Sequence, residues 1–160
     1  MNALIQRYLA APARKAAILD EMDKRPRGAF KAILAFRGPY PRGMHPIDAH
    51  ADFLTDLLAG LLRRHPELVL GPRPARYSPG DYTLISAAIS VGNPRFAGLI
   101  LGGFKDPSLY VKILVADGVI RRKFLRTPET RVELRRLLKM KSIRDDPFSR
   151  GIFRKALARR

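Results

Sequence analysis

The chain has 160 residues, 46% of them apolar, which suffices for a packed core and excludes a disordered tail. Its 31 Lys plus Arg against 14 Asp plus Glu give a formal net charge of +17, so polyanionic or acidic-surface partners are expected. The absence of Cys excludes thiol catalysis, disulfide stapling and cysteine-based zinc sites, and leaves packing to hold the fold.

The first residues lack an apolar run followed by a small-residue cleavage site, so no secretory signal is expected and the product is read as cytoplasmic or otherwise intracellular. Helical spacing of apolar residues predicts helices over 2–9 and 14–23, the second carrying Ile18, Leu19 and Met22 and opened by Pro12. Phe30, Ile33, Leu34 and Phe36 predict a short helix, stopped by the Pro and Gly residues of 38–43. Residues 48–64 carry Phe53, Leu54, Leu57, Leu58, Leu61 and Leu62 on one stripe and predict the best-defined helix, with Asp48 as its cap.

Gly71, Pro72, Pro74, Pro79 and Gly80 make 70–81 a loop. Two short helices are expected at 84–91 and 94–101, with Gly92-Asn93 as the turn between them. A further pair, 110–116 and 119–125, is expected to break at Asp117-Gly118, and the alternation of Val111, Ile113 and Val115 leaves a strand open there. The chain ends in two amphipathic helices, 129–141 and 145–160, each with one leucine-bearing face and one arginine-rich face. The most membrane-like stretch, 82–104, is interrupted by Asn93, Pro94 and Arg95, so no membrane partner is expected.

Charge is not spread evenly. Residues 1–45 hold nine basic and three acidic residues, 46–107 hold six of each, and 108–160 hold 16 against five. The excess therefore belongs mainly to the last third of the chain, where simple electrostatics draws a polyanion.

The middle of the chain carries a recognisable order of residues. Tyr82-Thr83-Leu84-Ile85-Ser86-Ala87-Ala88 is followed by Gly92-Asn93, Phe96-Ala97, Ile100-Leu101, Gly103 and Asp106-Pro107. Before it, the segment from Leu61 to Val69 reads as a helix closing ahead of a Pro. Residues 46–107 thus resemble the ankyrin repeat family, whose unit is a turn and two antiparallel helices. The register departs from the family at Leu84, where Pro is usual, at Ser86, where His is usual, and in the 39-residue spacing from Leu62 to Leu101. The resemblance implies an all-α array of stacked helical hairpins, with Asp81, Tyr82, Ser86 and Ser90 facing a protein partner and Ala88, Ile100 and Leu101 structural. Another helical repeat or a bundle is the alternative architecture.

Three chemical constellations compete with that reading. His45, Asp48, His50 and Asp52 superficially resemble the opening of metal-dependent amidohydrolases, but the chain is far too short for their barrel and Asp52 stands where their second His belongs. No metal and no cofactor are expected; His65 reads as a residue of a helix terminus. The serines lack a nucleophile-elbow context and no phosphate loop is present, so no catalytic residue and no enzyme are expected. A helix-turn-helix over 88–100 would offer only Arg95 to DNA.

The basic run has the stronger claim. Ten basic residues within 24 positions include Arg121, Arg122, Lys123, Arg126, Arg131, Arg135, Arg136 and Lys139, the set expected to meet a polyanion. Phe124 is the only ring in that run, so no base-stacking platform is indicated. The organisation expected is one helical domain over 1–160: N-terminal helices at 1–45, ankyrin-like repeats at 46–107 and a basic helical segment at 108–160. The function expected is non-catalytic binding of a protein with an acidic surface; the alternative is a nucleic-acid-binding protein using the Arg-rich helices for phosphate contacts.

Overall fold

The computed structural model describes residues 1–69 and 79–159, and all regular structure in them is helical. The strand left open at 110–116 does not form. The chain divides into two compact units, Met1–Val91 and Gly92–Arg160, and the division falls inside the stretch 46–107.

In the first unit, α1 (Asn2–Ala10), α2 (Lys15–Met22) and α3 (Pro26–Ala35) surround α5 (Thr55–Arg64) and α6 (Pro79–Val91), which pack against each other. Leu54, Leu57, Leu58, Leu61 and Leu62 are fully buried, as their stripe requires, together with Ile5, Ile18, Met22 and Ile33. Gly60 lets α2 come close: a Cβ there would stand 2.7 Å from Leu19 Cδ1.

The long helix expected at 48–64 starts earlier and is not uniform. α4 (Pro46–Asp48) runs into a π-helical stretch, Ala49–Leu54, before α5. Asp48 accordingly lies inside helical backbone, with φ −64 and ψ −41, and makes no capping hydrogen bond. The loop expected at 70–81 lies outside the described residues except for its last three positions, which open α6.

The second unit contains α7 (Ala97–Gly102), α8 (Leu109–Arg121), α9 (Pro128–Leu137), α10 (Lys141–Arg144) and α11 (Pro147–Ala158). α11 packs on α8 and α9 around Phe104, Val115, Leu134, Leu137 and Phe153. The break expected at Asp117-Gly118 is absent, because α8 continues through it. Gly118 is buried and its carbonyl accepts from Arg122 N at 2.8 Å, while Asp117 pairs with Arg121 one turn on at 2.7 Å. Burial of the helix face outweighs the roughly 1 kcal/mol that a helical glycine costs.

The helix expected at 129–141 instead ends at Leu137, turns tightly through Met140, and resumes as α10 so that Ile143 reaches the core. Three starts in this unit share one device. Asn93, Thr127 and Asp146 each stand before a Pro and accept a backbone N–H two or three residues on, at 3.0, 3.2 and 2.9 Å.

Candidate functional site

The positions carried over from the ankyrin resemblance recur every four residues on α6. Tyr82 and Ser86 are half-buried and Ser90 is exposed. The Asp81 side chain lies outside the described residues. The positions assigned to packing do pack: Ala88 and Ile100 are fully buried and Leu101 is half-buried. Gly92 has φ +72, a conformation that L side chains avoid, and the Arg122 guanidinium lies 2.9 Å from where a Cβ would be.

The string His45 to Asp52 does not converge. Asp48 and Asp52 are exposed, whereas His50 is buried with both ring nitrogens engaged, Nε2 with the Tyr40 hydroxyl at 3.1 Å and Nδ1 with Thr83 Oγ1 at 3.2 Å. Burial, reinforced by the nearby Arg37 charge, holds its pKa below the ordinary histidine value. This ring ties the 38–43 connector to α6. Among the described residues no group of three or more His, Asp or Glu side chains is placed to hold a metal ion.

The basic residues divide into two kinds. Arg126 donates to the carbonyls of Val119 and Ile120 at 3.0 and 2.7 Å and so finishes α8, and Arg131 reaches the Leu157 carbonyl at 3.3 Å. Arg122 is half-buried beside Gly92. Arg136 forks onto Glu133 at 2.8 and 2.5 Å, which holds that carboxyl below its usual range, and Arg121 holds Asp117. Lys123, Arg135 and Lys139 are exposed and form no ion pair among the described residues. Five of the eight residues read from the sequence as polyanion contacts thus have structural partners or packing of their own.

Other cations join Arg121, Lys123, Arg135, Arg136 and Lys139 on the surface. Among the described residues of the second unit, twelve basic side chains are exposed, including Arg95, Lys105, Lys141, Arg144, Arg154 and Lys155, against only Glu129 and Asp145 of its acids. In the first unit the exposed counts are ten and five. The remaining acids of the second unit are withdrawn: Asp106 is buried, Asp146 caps α11, and Asp117 and Glu133 are half-buried in local pairs. Lys112 is itself buried, its ammonium donating to the Asp106 carbonyl, and desolvation lowers its pKa against the pull of Asp106.

Sequence reasoning did not single out Tyr110 and Phe148, which are 79% and 69% exposed on this same unit. Their signal was their context: Tyr110 follows Asp106-Pro107 and Phe148 follows Asp146-Pro147, so each ring falls in a first helical turn. No protein-family model, no curated protein and no solved structure matches the chain. No helix among the described residues is long and apolar enough to cross a membrane.

Proposed function

We propose that the chain is a non-catalytic binding protein whose second unit engages the phosphate backbone of a nucleic acid. The observation that carries this reading is the surface imbalance of twelve exposed cations to two exposed acids, distributed over every helix from α8 to α11 and the segments before them. A delocalised cationic surface suits a regularly spaced polyanion, because each phosphate neutralised releases condensed counterions. Arg126 and Arg131 support the surface from below by fixing the ends of α8 and α11.

Fluorescence anisotropy with unrelated duplex and single-stranded oligonucleotides tests it. Binding is expected to weaken by on the order of a hundredfold between about 50 and about 200 mM salt if some four phosphates are engaged. Absence of binding at the lower salt would overturn the reading.

A second reading, an acidic protein surface as partner, is favoured by Val132. This aliphatic side chain is 62% exposed on α9 beside Arg131, Arg135 and Arg136, and gives nothing for a base to stack on while suiting an apolar anchor in a protein interface. The ankyrin-like arrangement of residues 46–107 belongs to this reading, supported by the buried Ala88 and the positive φ of Gly92. Here Tyr82, Ser86 and Ser90 would face the partner. Ser90→Arg would then abolish recovery of one acidic protein from nuclease-treated extract and leave oligonucleotide binding unchanged; an unaltered recovery would sink it.

A further inference from the structure

The contacts of the second unit fix which helix ends share a side. The Arg131 guanidinium reaches the Leu157 carbonyl, so the start of α9 lies by the end of α11. The Lys112 ammonium lies within electrostatic reach of Glu133 and Arg136, and Glu133 also feels Lys105, so the second half of α9 lies by the start of α8. α9 therefore runs opposite to α8 and α11, and α8 and α11, packed on each other, begin at the same end. That end also holds the turn 138–140 and α10, which join α9 to α11.

Tyr110 and Phe148, in the first turns of α8 and α11, are the two most exposed large apolar side chains among the described residues, and both belong to this end. Axes of packed helices lie about 8–10 Å apart, which keeps both rings within the span of a few nucleotides. Lys105, Lys139, Lys141 and Arg144 are exposed in the segments that meet there. The acids at the same end are engaged: Glu133 by Arg136, Asp145 by Arg144 at 3.0 Å, Asp146 by Ser149, and Asp106 by burial and the Ser108 N–H. The result is exposed ring faces amid cations, with no free carboxylate in the described residues of that end.

We propose that this end of the second unit is a stacking platform for unpaired bases, so that the nucleic acid it takes is single-stranded, with Tyr110 and Phe148 receiving bases and Lys139 and Lys141 meeting phosphates. The proposal rests on the nucleic-acid reading above and specifies it. Bases offer sequence-tolerant ring faces only when unpaired, and stacking on an aromatic side chain adds to backbone attraction. A duplex buries those faces and would use the cations alone.

Anisotropy with a labelled thymidine 20-mer, an abasic strand of equal length and charge, and a blunt duplex tests it at one fixed salt concentration. The wild-type chain is expected to bind the thymidine strand at least about tenfold more tightly than the abasic one. The doubly substituted Tyr110→Ser, Phe148→Ser chain should lose that preference while keeping abasic and duplex binding within about twofold; both rings are exposed, and circular dichroism checks the fold. Lys139→Glu with Lys141→Glu should weaken all three alike. Equal binding of thymidine and abasic strands by the wild type overturns the platform and leaves the phosphate-binding reading standing. No binding to any of the three removes both. If an acidic peptide containing Phe and Leu loses affinity on the double substitution and the thymidine strand does not, the end is a protein-docking surface and the platform is overturned.

Discussion

Asp56 and Asp146 are both carboxyls held below the ordinary aspartate range, and they do different work. Asp56, on α5, would be raised by burial but is brought down by hydrogen bonds from Lys15 at 2.5 Å and from the buried Tyr8 hydroxyl at 2.8 Å, which belong to α2 and α1. Asp146 is lowered by Ser149, three residues along its own helix. The pattern holds across each unit. In residues 1–91 the ion pairs of Arg7 with Glu21, of Lys15 with Asp56 and of Arg64 with Asp20 and Asp23 join elements distant in sequence, and the His65 ring contacts both the distant Asp23 and the neighbouring Glu67. In residues 92–159 the ion pairs among described residues are local, Arg121 with Asp117, Arg136 with Glu133 and Arg144 with Asp145. The first unit ties its elements together with long-range ion pairs as well as apolar packing; the second assembles by apolar packing and capping, and its ion pairs among described residues stay local.

That contrast breaks most readily through the apolar packing of the second unit. Phe153 is fully buried with its ring 6.4 Å from that of Phe104, so Phe153→Ala should cost about 3–5 kcal/mol, comparable to the whole stability of a small domain. Hydrogen exchange should show the loss at amides of 92–159. A fully retained exchange pattern would mean that ionic contacts hold this unit after all.

In the first unit the corresponding lesion is electrostatic. Asp56→Ala leaves the buried Tyr8 hydroxyl without its acceptor and Lys15 without its partner, at an expected cost of about 1–3 kcal/mol in urea melts. Asp56→Asn, which keeps an oxygen for Tyr8, should recover part of it. The Lys15 share should shrink with salt, since that pair is largely exposed.

The helical class was legible because apolar stripes at 54–62 and at 134 and 137 point at cores wherever those cores lie. One misreading had a physical cause. Asp117-Gly118 carries a turn signature, yet tertiary burial of Gly118 outweighed its weak propensity. Among the eight basic residues picked by density, five are exposed, and density in sequence does not tell these from a cation that finishes a helix, as Arg126 does. The imbalance was legible in its sign and became larger in space, since Asp106, Asp117, Glu133 and Asp146 are turned inward by capping and pairing. The caps themselves stood in the open as Asn93-Pro94, Thr127-Pro128 and Asp146-Pro147.

Such caps give the comparison a finer test. Thr127 Oγ1 accepts from Thr130 N at 3.2 Å and opens α9, the helix that bears Arg135 and Arg136. Thr127→Ala should cost about 1 kcal/mol in a thermal or urea melt, and Thr127→Ser should cost little. Salt should leave this loss unchanged, unlike that at Asp56, because no ion pair is involved.

Mild acid should separate the two units with the smallest effect. All three histidines lie in the first unit, and the second has none. His50 is held below the ordinary value by burial and by Arg37, so the unfolded chain takes up its proton more readily than the folded one. The stability this ring contributes is complete above the unfolded pKa of about 6.5 and is lost as pH falls through that value toward the lower folded one. Carboxyls of the second unit that are held low, Glu129, Glu133 and Asp146, contribute stability that is lost only at more acidic pH, below the unfolded carboxylate range of about 4. Between about pH 7 and about pH 5 the urea midpoint followed by NMR at amides of 1–91 should therefore fall while that of 92–159 stays level. His50→Gln removes the titrating ring and should flatten the fall in the first unit, whatever it does to the midpoint itself. An unchanged slope in that variant would leave the chain of the half-buried Tyr40 with the buried His50 and Thr83 with no part in the acid sensitivity.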